Sequence, residues 1–421
     1  MSRYLQAVAW VLLFSAVGYA AELPAVCWPL WRGPHSIGST NSGTYPVKWT
    51  AEDGLAWKVE LPGRGCSTPV VWGDHIILTA PIDGQDAVVD LDLSGNTRWQ
   101  TALGPQRQGK HRNGSGCNPS AVTDGEFIFV YYKSGRLAGL DFAGKVLWQT
   151  NLQERFAKDT LFWDVGTSPV VTDKHVIATM MHAGESFLAA FDKPTGRLAW
   201  KVSRNYDCPI EGDQSYATPI VIEHDGAQAI LVWGAEHVTA HRATDGRLLW
   251  SCGGFNPDRK TFWVSVASAV VAGDVAVVPY GRGTHLCGVR LGGAGDVTET
   301  HRLWTRDDVG AFVPTPAVYE GKVYLLGDGG EVACIDPATG ATLRAGALPE
   351  HRMNYYASPT IAGGNLYAAR EDGVVYVARL TGGFEVLSEN PMDEQMIASP
   401  VPVAGRLLLR GAQHLFCVEA P

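Results

Sequence analysis

Sustained helical periodicity is almost absent from this sequence, which removes helical bundles and layered α/β folds from consideration. Charged residues are scarce as well, 18% of 421, and their net charge is −9. Such a chain lacks the broad basic surface that nucleic-acid binding wants. The histidines fall singly (His75, His175, His237, His285, His351, His414), without His-Glu-x-x-His spacing, so no metal site is expected. No Gly-x-Ser-x-Gly elbow marks a serine hydrolase. Two further motifs fail on inspection. Gly104-x-x-x-x-Gly109-Lys110 ends in His111 and precedes no helix, so it does not cradle phosphate. Asp90-x-Asp92-x-Ser94-Gly95 imitates a calcium loop, but position twelve is Thr101.

What the chain does have is a repeat. Pro69, in Ser67-Thr68-Pro69-Val70-Val71-Trp72-Gly73-Asp74, recurs as Pro119, Pro169 and Pro219 at steps of 50 residues. Ala269 keeps the step, and Pro316, Pro359 and Pro400 complete eight copies. Each copy continues into short apolar runs separated by Gly/Asp turns, the pattern of antiparallel hairpins. One copy reads in full as strands at 169–171, 176–179, 187–191 and 198–202, with Asp192-Lys193-Pro194-Thr195-Gly196 as a turn. Four short strands at this period predict an all-β, eight-bladed propeller of four-stranded antiparallel blades.

The two ends of the chain complete one another. The last repeat, 398–419, runs out after three strands, and Ala56-Trp57-Lys58-Val59-Glu60-Leu61 is an orphan strand. Its Trp57 matches Trp99, Trp148, Trp200, Trp250 and Trp304, each opening the fourth strand of a repeat and expected to fill the wedge between blades. Pairing the ends would close the ring and abolish exposed strand edges. The expected organisation is a signal peptide over 1–20, a Pro/Gly-rich lead over 21–55 packed on the propeller, and the propeller over 56–421.

Arg3, the apolar Leu5–Val17 run and Gly18-Tyr19-Ala20 give the signal reading, with cleavage after Ala20. A periplasmic or secreted protein is expected, with no membrane span in the mature chain. Export permits disulfides. Cys66 and Cys117 precede the first strands of adjacent repeats and are a candidate bridge, Cys208 and Cys252 a poorer one. Cys287, Cys334 and Cys417 occupy matching third-strand positions and read as small buried hydrophobes.

Ala190-x-Asp192-x-x-Thr195-Gly196-x-x-x-Trp200 resembles the tryptophan-docking motif of the pyrroloquinoline quinone (PQQ) alcohol dehydrogenase superfamily. The resemblance covers about residues 56–419 and implies an eight-bladed ring. It implies two functions. Cofactor-free members similar to BamB are exported binding or scaffold modules, which here implies a protein or polysaccharide partner in the cell envelope and a monomer. The enzymes bind PQQ beside a calcium ion, with a general-base aspartate and often a disulfide of adjacent cysteines. This chain has no adjacent cysteines, inserted loops or electron-acceptor module, so the non-enzymatic reading is favoured and the PQQ-dependent oxidoreductase is the alternative.

Links between repeats would line one mouth of the ring, a default place for a ligand. For catalysis they offer Asp164 and Asp213 as bases. For ligand contact they offer Arg64, Asn118, Glu211, Gln214, Tyr355, Tyr356 and Gln395, with Glu211 and Asn118 as ion ligands. The basic run Arg107, Lys110, His111 and Arg112 is a candidate anion- or partner-binding edge.

Overall fold

The structure, a computed structural model, describes residues 23–24 and 26–420. The expected signal peptide and its cleavage point lie outside the described residues. Eight antiparallel sheets form an eight-bladed propeller. Blades 1 to 7 occupy 70–105, 122–151, 170–203, 220–252, 270–306, 317–347 and 360–391. Blade 8 combines Val401–Val403, Arg406–Arg410 and His414–Val418 with Leu55–Glu60 from the N-terminal side. Trp57 lies opposite Cys417 and Lys58 opposite Phe416, so one blade is shared between the two ends.

Tryptophans join neighbouring blades as the sequence predicts, by a specific contact. The indole N–H of Trp57 donates to the Leu93 carbonyl (2.9 Å), Trp99 to Phe142 (2.9 Å) and Trp148 to Lys193 (2.7 Å). Trp200 reaches Ala243 (3.1 Å) and Trp304 reaches Pro337 (2.8 Å). Each acceptor sits in the turn between the third and fourth strands of the next blade. The ring then lies on that turn's glycine: a Cβ on Gly144 would stand 2.5 Å from Trp99, and one on Gly196 would stand 2.4 Å from Trp148. Both glycines also have positive φ, so the turn needs glycine twice over.

Three wedges are built differently. Blade 5 replaces its turn with an excursion whose Gly295–Asp296 pairs alongside Trp250 and buries it completely. In blade 6 Arg344 stands in the tryptophan's place and donates to the Leu380 carbonyl (2.9 Å). Between blades 7 and 8 the lead supplies Trp49, packed among Leu407, Leu409 and Phe416.

A ring of hydroxyls lines the channel. The backbone N–H of each inner-strand residue donates to the hydroxyl of the next blade: Thr68 to Ser120, Ser120 to Ser168, Ser168 to Thr218, and Thr218 to Ser268. Ser268 to Thr315, Thr315 to Ser358 and Ser399 to Thr68 continue it. Each such bond is worth about 1 kcal/mol net, and together they fix the height of every blade. This ring corrects the repeat register. Pro119 precedes Ser120, so Ala121 and not Pro119 takes the proline's place in blade 2. The spacings are 52 and then 48 residues rather than 50 and 50.

The lead closes the lower end. Strand direction alternates within a blade, so links between blades share the upper end with the second-to-third-strand hairpins. Lead carbonyls accept from inner-strand N–H groups near the lower end: Val26 from Gly73, Pro29 from Thr123, Ile37 from Val318 and Gly38 from Ile361. Cys27–Trp28 adds a strand to blade 1 and Ser39–Thr40 one to blade 7. The inner edges of blades 1 and 7 are thereby paired, and Trp28 is buried beneath the ring.

All eight cysteines carry free thiols, so neither candidate bridge is formed. Cys66 instead lies 3.4 Å from the Asn113 carbonyl. Cys287, Cys334 and Cys417 are buried, as expected of small hydrophobes.

Candidate functional site

The upper mouth is crossed by residues 106–118, the link from blade 1 to blade 2. Two anchors hold it. On one side Asp164 accepts from the backbone N–H groups of Lys110 (2.8 Å) and His111 (3.0 Å) and pairs with Lys133. Asp164 and Lys133 are both buried. On the other side Glu371, from the blade 7 hairpin, accepts from Arg112 (3.1 Å), Asn113 Nδ2 (2.6 Å) and the Asn354 N–H (3.1 Å). Gln395 continues this anchor, donating to Asn113 (2.7 Å) and accepting from Arg64 (2.7 Å). The link is a cap fastened to both sides of the ring.

The basic run is largely consumed by that cap. Arg107 pairs with Asp159 (3.2 Å), and the Lys110 ammonium donates to the Leu161 (2.9 Å) and Phe162 (3.2 Å) carbonyls. The His111 ring lies edge-on to Trp163 at 4.9 Å and 6.2 Å from Tyr356. Arg112 faces Glu371.

The expected ligand residues are brought to this end in two separate groups. Arg64, Gln395, Tyr356 and Asn118 lie by the cap, whereas Glu211, Asp213 and Gln214 lie on the link between blades 3 and 4. Gln214 accepts from the Phe162 N–H (2.9 Å) and from Tyr216 (3.2 Å). Tyr355 is buried, its hydroxyl has no partner among the described residues, and desolvation pushes its phenol up. Asp213 is half-buried with Oδ1 unpartnered; desolvation raises its carboxyl, opposed by His182.

Two of these residues are engaged within the protein and are not free for a calcium ion or a quinone. The oxygens of Asp164 are taken by Lys133 and two backbone donors, and Asn118 Oδ1 is taken by Ser115 (2.7 and 3.0 Å). Among the described residues no group of three or more His, Cys, Asp or Glu side chains is arranged to hold a metal ion. Three hollows, of about 530 Å³ between blades 3 and 4, about 510 Å³ along blade 4 beside Gly293 and Ala294, and about 500 Å³ beside the lead at blade 8, lie at the lower end and contain none of the candidates.

The sequence reading missed the apolar side chains that this mouth exposes. Phe162, Trp163, Ile210 and Phe262 are 54%, 43%, 67% and 52% exposed, on the consecutive links into blades 3, 4 and 5. Their backbones are pinned. The Trp163 N–H donates to Tyr216 (3.0 Å), and the Phe262 N–H donates to the Ile210 carbonyl (2.8 Å). Phe262 has φ of 61°, a conformation rare for a bulky residue. The available signal was aromatic residues in links where turn-forming polar ones are ordinary.

The family model described as "Outer membrane protein assembly factor BamB" matches residues 39–178, 84–345 and 293–419. The outer membrane protein assembly factor BamB of Yersinia pestis is 23% identical over 350 residues, covering 80% of each chain. Quinohemoprotein alcohol dehydrogenase ADH IIB of Pseudomonas putida is 24% identical over 222 residues, 51% of this chain but only 30% of that enzyme. Among solved structures, a europium-containing methanol dehydrogenase superposes with a TM-score of 0.67 at 12% identity, covering 93% of this chain and 90% of its own. That last likeness speaks to the fold alone. With the docking tryptophans, the eight blades and a family match running from 39 to 419, the chain belongs to the PQQ-repeat propeller family whose model carries the BamB description.

Proposed function

We propose that this protein is an exported, non-enzymatic binding module that docks a protein partner in the cell envelope through the upper mouth of blades 3 to 5. One observation carries the reading: the exposed, backbone-pinned sector of Phe162, Trp163, Ile210 and Phe262. Exposed apolar clusters of this kind mark interaction sites, and aromatic anchors dominate interface energetics. Holding Phe262 at positive φ costs about 1–3 kcal/mol, and the link supports that conformation while leaving the ring in solvent. Pinning lowers the entropy lost on docking. The similarity to BamB proteins favours a protein over a polysaccharide. No helix among the described residues is long and apolar enough to cross a membrane.

The test is affinity capture from envelope extracts with the wild type and with W163A/F262A. The proposal expects one or more envelope proteins retained by the wild type and depleted at least tenfold by the double variant, with unfolding temperatures unchanged. Equal retention by both, or retention of polysaccharide alone, would refute it.

A further inference from the structure

Among the described residues three buried guanidinium groups serve this propeller without a carboxylate partner, and one of them, Arg32, is left with two of its three nitrogens unpartnered. Arg204 donates to Thr239 (3.0 Å) and to the carbonyls of Gly234 (2.9 Å) and His237 (2.8 Å), so each of its nitrogens has an acceptor. Arg410 donates through both terminal nitrogens to the Ser67 and Thr79 carbonyls, which leaves only Nε unpartnered among the described residues. Arg32 differs. Only its Nη2 is used, on the carbonyls of Pro316 (3.1 Å) and Pro359 (2.7 Å); Nε and Nη1 are buried with no partner among the described residues.

Arg32 is 3% exposed and projects from the lead into the channel. Gly38 makes room for it, since a Cβ there would stand 1.9 Å from Nη2. Burial pushes its guanidinium down to about 9, with no acidic group acting to restore it. The Trp31 ring, 5.8 Å away, adds only the weak attraction of a π face. A buried charge without a counter-charge costs several kcal/mol.

Beside Arg32 is a hollow of about 30 Å³, bounded by Trp31, Ser36 and four members of the hydroxyl ring, Ser168, Thr218, Ser268 and Thr315. Each of those hydroxyl oxygens already accepts a backbone N–H. Their O–H protons find no acceptor among the described residues and are free to be donated into the hollow. The polar part of the wall is thus a guanidinium and hydroxyl donors, without a carboxylate; Leu30, Val170, Ile220 and the prolines Pro169 and Pro219 make the rest apolar. At roughly 10–15 Å³ per water-sized occupant, the space admits two or three such particles and no phosphate or sulfate.

We propose that this hollow binds a single small monovalent anion of the chloride class, held by Arg32 and the channel hydroxyls, and that the anion fastens the lead into the lower end of the ring. A water molecule would satisfy the donors but leave the charge uncompensated; an anion does both.

The probe is bromide. Crystals of the full protein grown in sodium bromide should show an anomalous peak at the bromine edge within hydrogen-bonding distance of Arg32 Nε or Nη1. Density there without anomalous signal, or bromide confined to the outer surface, overturns the proposal. In solution, replacing sodium fluoride by sodium chloride at constant ionic strength should raise the unfolding temperature with saturation, and R32M should abolish that rise. A chloride dependence retained in R32M also overturns it. If R32M does not fold, the bromide experiment on the wild type decides alone.

Discussion

Trp57 and Cys417, 360 residues apart in the chain, face one another in the ladder of blade 8. That pairing makes the N-terminal strand the outer strand of the last blade. Its indole then reaches forward to Leu93 in blade 1, so one residue both closes the last blade and docks the first.

Truncation separates these roles from those of the lead. Removing residues 1–61 deletes the closing strand and leaves His414–Val418 as an open edge, so the product should aggregate. Removing 1–50 keeps the closed ring but loses Trp28, Arg32 and Trp49, and should lower the unfolding temperature while remaining soluble. Size-exclusion chromatography and thermal unfolding distinguish the two; identical behaviour would contradict the shared blade.

Asp164 offers a test of structural against catalytic roles. D164N leaves the Lys133 ammonium buried without a counter-charge, an effect of about 3–5 kcal/mol on stability. The double variant K133M/D164N removes both charges, keeps an acceptor for the Lys110 and His111 N–H groups, and should recover most of that loss in a denaturant titration. A D164N protein as stable as wild type would show that the cap is not anchored there.

Stability should depend on pH through Asp86 and Asp90. Both are fully buried, and desolvation raises each carboxyl from 3.8 to about 6, opposed by Ser134 at Asp86 and by His75 at Asp90. A folded-state value above the unfolded one means that the folded protein binds more protons between these limits. The stabilisation is therefore complete below about pH 4 and is lost as pH rises through 6. D86N keeps an acceptor for Ser134 and removes the titration. It should flatten the decline over that window and gain about 1–3 kcal/mol at pH 7 relative to wild type. An unchanged pH profile would contradict the assignment.

Addition of PQQ with calcium should leave the unfolding temperature unmoved, because Asp164 and Asn118 are already engaged within the protein. Binding at one hundred times the dissociation constant would give about 2.7 kcal/mol of stabilisation. A shift of that size, with quinone absorbance retained through gel filtration, would favour the oxidoreductase.

The ring was legible in the sequence because its information is periodic. A docking tryptophan and an Asp-x-x-x-Gly turn are local signals, and the strand missing after Val418 can be found by counting. The register of blade 2 was misread because Pro119 imitates the repeat two residues early, while the feature common to all eight copies is a hydroxyl, a commonplace residue type. The path of the lead was not legible: it pairs through backbone carbonyls at irregular points, and Arg32 contacts Pro316 and Pro359 nearly three hundred residues on or more. At the upper mouth the candidate residues were recognised by type and link. Their pairing was not, since nothing near Asp164 in sequence announces Lys133, and nothing near Arg112 announces Glu371.

The most direct test of the docking surface is a photo-crosslinking amino acid placed at 163, compared with one at 343. Leu343 is 48% exposed, similar to Trp163, but lies on the outer strand of blade 6. The account predicts a discrete protein adduct in envelope preparations from position 163 and none from 343. Adducts of equal yield from both positions, or from neither, would contradict it.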